Sequence, residues 1–276
     1  MLLLGDGQEQ PEVPDEPEVQ RRRHRQSISQ GSRLRIVPIT SRVRSSPSPL
    51  PDREAAVSVS PLDRLAALDT NTVSDALDFL SLPGATFGLR PLWACPKIAG
   101  RASTIQLGRK TDAAPTVHLI SPVIARIAAK DRVLVIAGGV DGISCWGDIL
   151  ANAAWKKGIR GSIIDGSSRD IEGSESISYP VFGRGVTMIS ARNRLVQTSA
   201  GEPVVMAGVT VREDDYVIAD RCGTVFVPAG RIEAVLDLGE RIAQRQAGMV
   251  AAVRAGRSVE DVMHDSQFEA IRKETV

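Results

Sequence analysis

Aromatic side chains make up only 4% of this 276-residue chain, so a core must be built from Val, Ile, Leu and Ala, within a hydrophobic fraction of 42%. Histidine is scarcer still, with three residues in all: His24, His118 and His264. Zinc sites usually draw on several His or Cys ligands, so the sequence argues against imidazole-based zinc chemistry. The three cysteines, Cys95, Cys145 and Cys222, stand far apart without C-x-x-C spacing. An odd number with no framework points to free, buried thiols in a reducing compartment. There is no excess of charge either. A formal net charge of +1 makes no general case for nucleic acid or an acidic partner. No apolar run approaches the roughly 18–20 residues of a membrane span. The opening MLLLG is too short for a secretory signal, and the acids after it do not fit one. These absences place the protein in the cytosol, away from membranes.

What is present divides into three parts. Residues 1–58 carry nine Arg and eight Asp/Glu in separate blocks, leaving 25 basic and 25 acidic residues for 59–276. Such a segment buries too little apolar surface to offset its ordering entropy, and reads as a disordered, solvated tail. Residues 59–230 alternate helical and strand patterns. TNTVSDALDFLSLPG predicts a helix with Thr72 as a capping residue three before Asp75. KIAGRASTIQLG predicts a strand, and APTVHLISPVIARIAAKD a helix that Pro122 kinks or splits. RVLVIAGG, WGDILANAAWKKG and IRGSIIDG form a strand, helix and strand, a βαβ unit with a parallel pair. After YPVFGRG come short β-prone pieces, PVVMAGVTV, DYVIAD and GTVFVP, suited to antiparallel or mixed pairing. Residues 231–276 form a helical C-terminal extension, with Val235, Leu238, Ile242, Met249 and Val253 on one stripe of its first helix. Ser258 begins a last helix. The fold class is therefore α/β, a single domain with a helical extension.

Several motifs could carry chemistry. AGGVDG, residues 137–142, follows a strand but matches neither phosphate-loop pattern, and reads as a tight turn or as a loop that lets a ligand approach the backbone. WGDIL, residues 146–150, puts Gly147 and Asp148 at a helix start, where unpaired N–H groups and the positive dipole end suit an anion. An acid there also simply favours the dipole. DGSSRD, residues 165–170, lies at the carboxyl end of the next strand, where ligands bind in open α/β sheets. Two adjacent parallel strands would bring both segments to one sheet edge. Arg169 could clamp an anionic oxygen, and Asp170 could hold a hard cation, Mg²⁺ or Mn²⁺ in preference to zinc. Trp93, Trp146 and Trp155 read as packing anchors. His118 reads as a satisfied, partly buried side chain. Cys222 sits in a hairpin turn with nothing beside it to activate a thiolate.

Together these segments resemble the RraA-like family, which includes the 4-hydroxy-4-methyl-2-oxoglutarate/4-carboxy-4-hydroxy-2-oxoadipate aldolases and the regulators of ribonuclease activity A. The resemblance runs from about Val73 to Pro228, and its most specific element is W-G-D-[IL]-L followed by D-G-x-x-R-D. It implies a layered α/β/β-type sandwich, assembled as a homotrimer or hexamer with active sites at subunit interfaces. It also implies a divalent-metal-dependent class II pyruvate aldolase, with oxaloacetate decarboxylase activity through the same enolate. On that resemblance Asp170 binds Mg²⁺ (or Mn²⁺) through a water-rich shell, and Arg169 contacts the keto oxygen. Gly147, Asp148, Ile149 and Leu150 hold the substrate carboxylate by backbone N–H groups. Asp148 orients or deprotonates a metal-bound water. The alternative is a non-catalytic regulator, and the acid retained after the arginine favours chemistry. The sequence places no lysine beside these motifs for a Schiff base, since Lys156 and Lys157 end a helix.

Overall fold

A computed structural model of the chain describes residues 59–112 and 119–263. The expectations for the tail 1–58, for the helix over 113–118 and for His24, His118 and His264 lie outside these residues. The chain enters through α1 (Pro61–Ala67), where Ser60 accepts the Asp63 amide and proline occupies the first turn. Helix α2 (Thr70–Phe79) follows at once. Its cap is Asp69, whose side chain accepts from the Thr72 amide, so Thr72 is the donor and not the expected cap. Strand β1 (Arg90–Pro91) leads to β2 (Ile98–Arg109), which is buried over most of its 12 residues.

The helix expected around Pro122 is shorter than its pattern. Helix α3 (Ser121–Arg126) holds Pro122 in its first turn, where a missing N–H costs nothing, so proline starts the helix and does not kink it. Strand β3 (Arg132–Ala137) and β4 (Ser144–Trp146) precede α4 (Asp148–Lys157). That helix ends at Gly158, in the left-handed conformation with φ 76° that glycine adopts without a Cβ clash. Next come β5 (Ser162–Ile164), β6 (Ser167–Ser168), α5 (Ile171–Ser176), β7 (Val181–Gly183) and β8 (Gly185–Val186). Strand β9 (Leu195–Ala200), hairpin β10 (Val204–Met206) and β11 (Val209–Val211), and hairpin β12 (Tyr216–Asp220) and β13 (Gly223–Val227) complete the strands. Helices α6 (Ile232–Arg254) and α7 (Val259–Val262) close the described chain.

The main sheet runs β1-β7-β5-β3-β2-β12-β13, with β9 also paired to β2. Its centre, β2-β3-β5-β7, is parallel, as the βαβ reading requires, while β1, β9, β12 and β13 pair antiparallel. A second sheet, β4-β6-β8, is parallel throughout and was not expected. Each of β3, β5 and β7 passes through a short link into one of its strands, in the same order. The result is a layered α/β fold.

Three clusters of buried side chains fill it. One packs α3, α4 and the sheet around Trp146, Tyr179 and Ile136. A second joins α1, α2 and α6 to β12 and β13. The third lies between the sheet and the β10–β11 hairpin. Helix α6 buries Val235, Leu238 and Ile242 as expected, together with Leu236. Its stripe does not stay buried to the end, because Val253 is 41% exposed where the helix outruns the core. Of the three tryptophans, Trp146 is fully buried and Trp155 is 57% exposed, so Trp155 is not the packing anchor its size suggested. Among the cysteines, Cys95 and Cys145 are buried and free, whereas Cys222 is free and exposed.

Candidate active site

The two proposed halves of a site do meet, through the second sheet. Strands β4 and β6 pair in parallel, with Trp146 opposite Ser168. Beyond them the chain turns into α4 on one side and α5 on the other. The junction is tied by the Arg169 amide, which donates to the Trp146 carbonyl at 3.0 Å. Gly147 and Arg169–Asp170 are thus neighbours because two short strands end side by side, one layer beyond the sheet edge inferred from sequence.

Gly147 is the N-cap of α4 and has no side chain to cap with, so its first-turn amides are not satisfied from that position. The Ile149 amide donates to Asp148 Oδ1 at 2.7 Å. Asp148 is half-buried and its Cβ lies against α5. A Cβ added at Gly173 would approach that of Asp148 to 2.7 Å. Glycine at 173 therefore allows the two helices to come together at the site.

Asp170 is the more telling residue. It occupies the N-cap of α5 at φ 55°, ψ 45°, a left-handed conformation uncommon outside glycine, yet its side chain makes no capping hydrogen bond. The carboxylate turns back instead. Its Oδ2 is 3.2 Å from Arg169 Nε, and would be 2.8 Å from a Cβ at Gly147. Both side chains are about 40% exposed, Arg169 at 40% and Asp170 at 38%, so the pair faces open space. Asp tolerates this conformation better than most residues, and it leaves the carboxylate beside Arg169 and not on the helix cap.

That open space is a cavity of about 450 Å³. Gly147, Asp148, Ile149, Leu150, Arg169 and Asp170 all line it, so every predicted site residue is brought together. Ile149 stands 78% exposed at the mouth, while Leu150 is buried. Cys145 also lines the cavity, but burial pushes its thiol up to about 11, which leaves little thiolate at neutral pH. Asp165, the strand-end acid of the DGSSRD segment, is not part of the cavity. It pairs with Arg184 and accepts the Ala207 amide at 2.8 Å, a structural role.

A model of the RraA-like family, described as Aldolase/RraA, matches residues 70–226. The chain belongs to the RraA-like family. Among curated relatives, protein DlpA of Legionella pneumophila is 28% identical over 208 residues, 75% of this chain. The chain spans only about a third of that longer protein, 34% of its length. A Halalkalibacterium halodurans protein, provisionally named a 4-hydroxy-4-methyl-2-oxoglutarate aldolase, is 28% identical over 194 residues. That match covers 70% of this chain and 87% of the relative. Among solved structures, an uncharacterized protein from Pseudomonas syringae pv. tomato has a TM-score of 0.66 at 29% identity, over 73% of this chain and 96% of the other. Streptomyces coelicolor RraAS2, described as an unusual member of the RNase ES inhibitor RraA protein family, shares the fold with a TM-score of 0.61 at 24% identity. It covers 69% of this chain and 94% of its own.

Within this RraA-like cavity the sequence reading missed one wall. Lys110, Ser190, Ala191, Arg192 and Asn193 line it together with the residues above. They come from the end of β2 and the turn before β9, Lys110 lying 37 positions before Gly147 and Arg192 beyond α5. The expectation that no lysine neighbours the site is therefore corrected. The pairing of β2 with β9 was the missing signal, because β9 was not predicted.

Proposed function

We propose that the chain is a divalent-cation-dependent class II pyruvate aldolase. It would be a carbon–carbon lyase that cleaves a 4-hydroxy-2-oxo acid to pyruvate and a carbonyl product, and that decarboxylates oxaloacetate. The observation that supports this most is Asp170, held left-handed at a helix cap with its carboxylate withheld from the helix and offered to the cavity beside Arg169.

The donor set suits a hard cation. Among the described residues no group of three or more His, Cys, Asp or Glu could hold a metal as a cage. Mg²⁺ does not need one, since it keeps several waters and binds through one or two carboxylates plus substrate oxygens. Asp170 would hold it, and when bound it supplies Lewis-acid stabilisation of the charge that develops on the keto oxygen. The chain's own residues do the rest. First-turn amides of α4 other than that of Ile149, which Asp148 already takes, receive the substrate carboxylate. Arg169 donates to the keto oxygen and gains strength as that oxygen becomes an enolate. Asp148 manages the proton: the 4-hydroxyl loses it as the C3–C4 bond breaks, C4 becomes a carbonyl, and C3 of the enolate is reprotonated to pyruvate. With oxaloacetate the same bond breaks with loss of CO₂ and leaves the same enolate. A Schiff base on Lys110 is disfavoured, because that lysine is exposed and not desolvated in an apolar pocket.

The test is pyruvate release from a panel of 4-hydroxy-2-oxo acids and oxaloacetate, with and without Mg²⁺. Release is expected only with the cation, and Asp170→Ala should remove it. Release that survives both EDTA and Asp170→Ala would falsify the lyase reading. It would leave the alternative, a regulatory binding protein, to be tested by ribonuclease pull-down.

A further inference from the structure

We propose that a second cavity binds a free α-amino acid with an aliphatic side chain, and that this ligand sets the position of the small sheet β4-β6-β8. The cavity lies at the other end of that sheet from the first. The inference holds whatever reaction the first cavity carries, and it gives a place to AGGVDG, a motif that the proposed function does not use.

The second cavity measures about 610 Å³, within the range of small-ligand sites. Gly138, Gly139 and Asp141 of the AGGVDG segment line it after β3, Asp165 lines it after β5, and Arg184 after β7. These are the carboxyl ends of parallel strands, where ligands enter open α/β sheets.

Its charged lining residues are Asp141, Asp165 and Arg184, two carboxylates and one guanidinium. Asp165 is engaged on both oxygens: Arg184 Nε donates to Oδ1, and the Ala207 amide to Oδ2 at 2.8 Å. The terminal nitrogens of Arg184 donate to no acceptor among the described residues. The Asp141 carboxylate is exposed, and among the described residues it forms no ion pair. Gln106, on the floor of the cavity, turns its Nε2 to Leu107 O at 2.8 Å, which leaves Oε1 as an acceptor.

A guanidinium edge and a carboxylate without a counter-ion, in one cavity, suit a ligand that carries both signs of charge. The carboxylate of an amino acid meets Arg184, and its ammonium meets Asp141 and Gln106 Oε1. Its aliphatic side chain rests on Val205, which is 57% exposed on the β10–β11 hairpin. A phosphate or a dicarboxylate suits the cavity less, because Asp141 repels a second negative charge.

Such a ligand touches all three links that carry the small sheet. They run from Ala137 to Ser144, from Ile164 to Ser167 and from Gly183 to Gly185. A Cβ added at Gly139 would lie 2.3 Å from Asp165 O and 2.7 Å from Gly166 Cα, so the first two links meet backbone to backbone. The Arg184 amide donates to Gly166 O at 2.9 Å, which joins the second link to the third. Beyond the links, β4 runs into Gly147 and β6 into Arg169 and Asp170. Drawing Asp141 and Arg184 onto one ligand therefore moves the small sheet as a unit, and with it the walls of the first cavity.

Titration calorimetry of the full chain with L-leucine tests the binding. 4-Methylpentanoate lacks the ammonium and 3-methylbutylamine lacks the carboxylate, and each should bind at least about tenfold more weakly. Asp141→Asn should reduce L-leucine to the affinity of 4-methylpentanoate, with an unchanged melting temperature because the side chain is exposed. The effect on the small sheet is read from Trp146, which stands on β4 and lines the first cavity. With Trp93→Phe and Trp155→Phe it is the one tryptophan left in the chain. L-leucine should shift its emission with the calorimetric midpoint, and Asp141→Asn should raise that midpoint about tenfold. No saturable heat with L-leucine, or equal binding of either analogue, overturns the site. Binding that leaves the Trp146 emission unchanged overturns its hold on the small sheet. Neither readout depends on turnover, so the lyase reading stands or falls separately.

Discussion

At the scale of single residues, the site depends on what Gly147 lacks. Its backbone is extended, at φ −163° and ψ −179°, so any residue could adopt it without strain. The constraint is contact. A Cβ would lie 2.8 Å from Asp170 Oδ2 and 3.4 Å from both Cγ and Nε of Arg169. The one clashing atom, Asp170 Oδ2, is the end of a side chain that can swing away, so stability should hardly change. Swinging away, however, moves the carboxylate that the proposed chemistry needs in place and that pairs with Arg169, and a displacement of about 1 Å can cost up to 100-fold in rate. Gly147→Ala is therefore expected to lower kcat by about 10- to 100-fold with a melting temperature close to wild type. Steady-state kinetics and a thermal melt on the same preparation check it, and undiminished turnover would show that the Asp170 position is not critical.

At the scale of elements, the β12–β13 hairpin is fastened to α2 by one carboxylate. Asp220 accepts the Thr70 amide at 2.9 Å, the Thr70 hydroxyl at 2.7 Å and the Cys222 amide at 2.8 Å. Burial pushes its pKa up, but these hydrogen bonds to the charged form, with Lys97 nearby, outweigh burial and hold it below the usual carboxylate value. A depressed folded-state pKa stabilises the protein above the unfolded value, near 3.9, and that contribution is lost as pH falls through the folded value. Asp220→Asn should thus destabilise by about 1–3 kcal/mol at neutral pH, and the difference from wild type should shrink below about pH 4. Urea melts across pH 3 to 7 measure it. A deficit that does not depend on pH would mean that shape, not charge, fastens the hairpin. This fastening was not legible in the sequence, whereas the hairpin was, since DYVIAD and GTVFVP are separated by a Cys-Gly turn. Legibility followed element length. Strand β3 and helix α4 have enough residues to show a pattern and an end signal at Gly158. Strands β4, β6 and β8 have three, two and two residues, too few for any alternation to appear. The residues of the site could be picked out as WGD and RD, but the sheet that joins them could not. Lys110 and Arg192 were illegible for another reason: they reach one cavity wall through the long-range pairing of β2 with β9, which no local pattern announces.

At the scale of the whole molecule, stability and the site draw on different cores. Trp146, Leu150 and Ala151 belong to the cluster that also holds Tyr179, on whose ring Trp146 stacks at 6.0 Å between centroids. This cluster underlies both α4 and the β4–β6 junction, so it sets where the cavity walls stand. Leu236, Val235 and Leu238 belong to the cluster of α1, α2 and α6 on β12 and β13, which contributes no residue to the cavity. Leu236→Ala and Leu150→Ala should therefore behave differently. Both remove buried apolar volume, Leu236 being fully buried and Leu150 8% exposed, and should cost about 2–5 kcal/mol, nearer the lower end for Leu150. For Leu236→Ala the loss should appear only as a lower denaturation midpoint, with kcat and KM of the folded protein unchanged. For Leu150→Ala it should come with reduced turnover, because the first turn of α4 loses the side chain that seats it on the core. Kinetics well below each variant's melting temperature separate the two effects. If Leu236→Ala lowered turnover as much as Leu150→Ala, the clusters would be one mechanical unit, and the cavity would owe its shape to α6 as much as to α4.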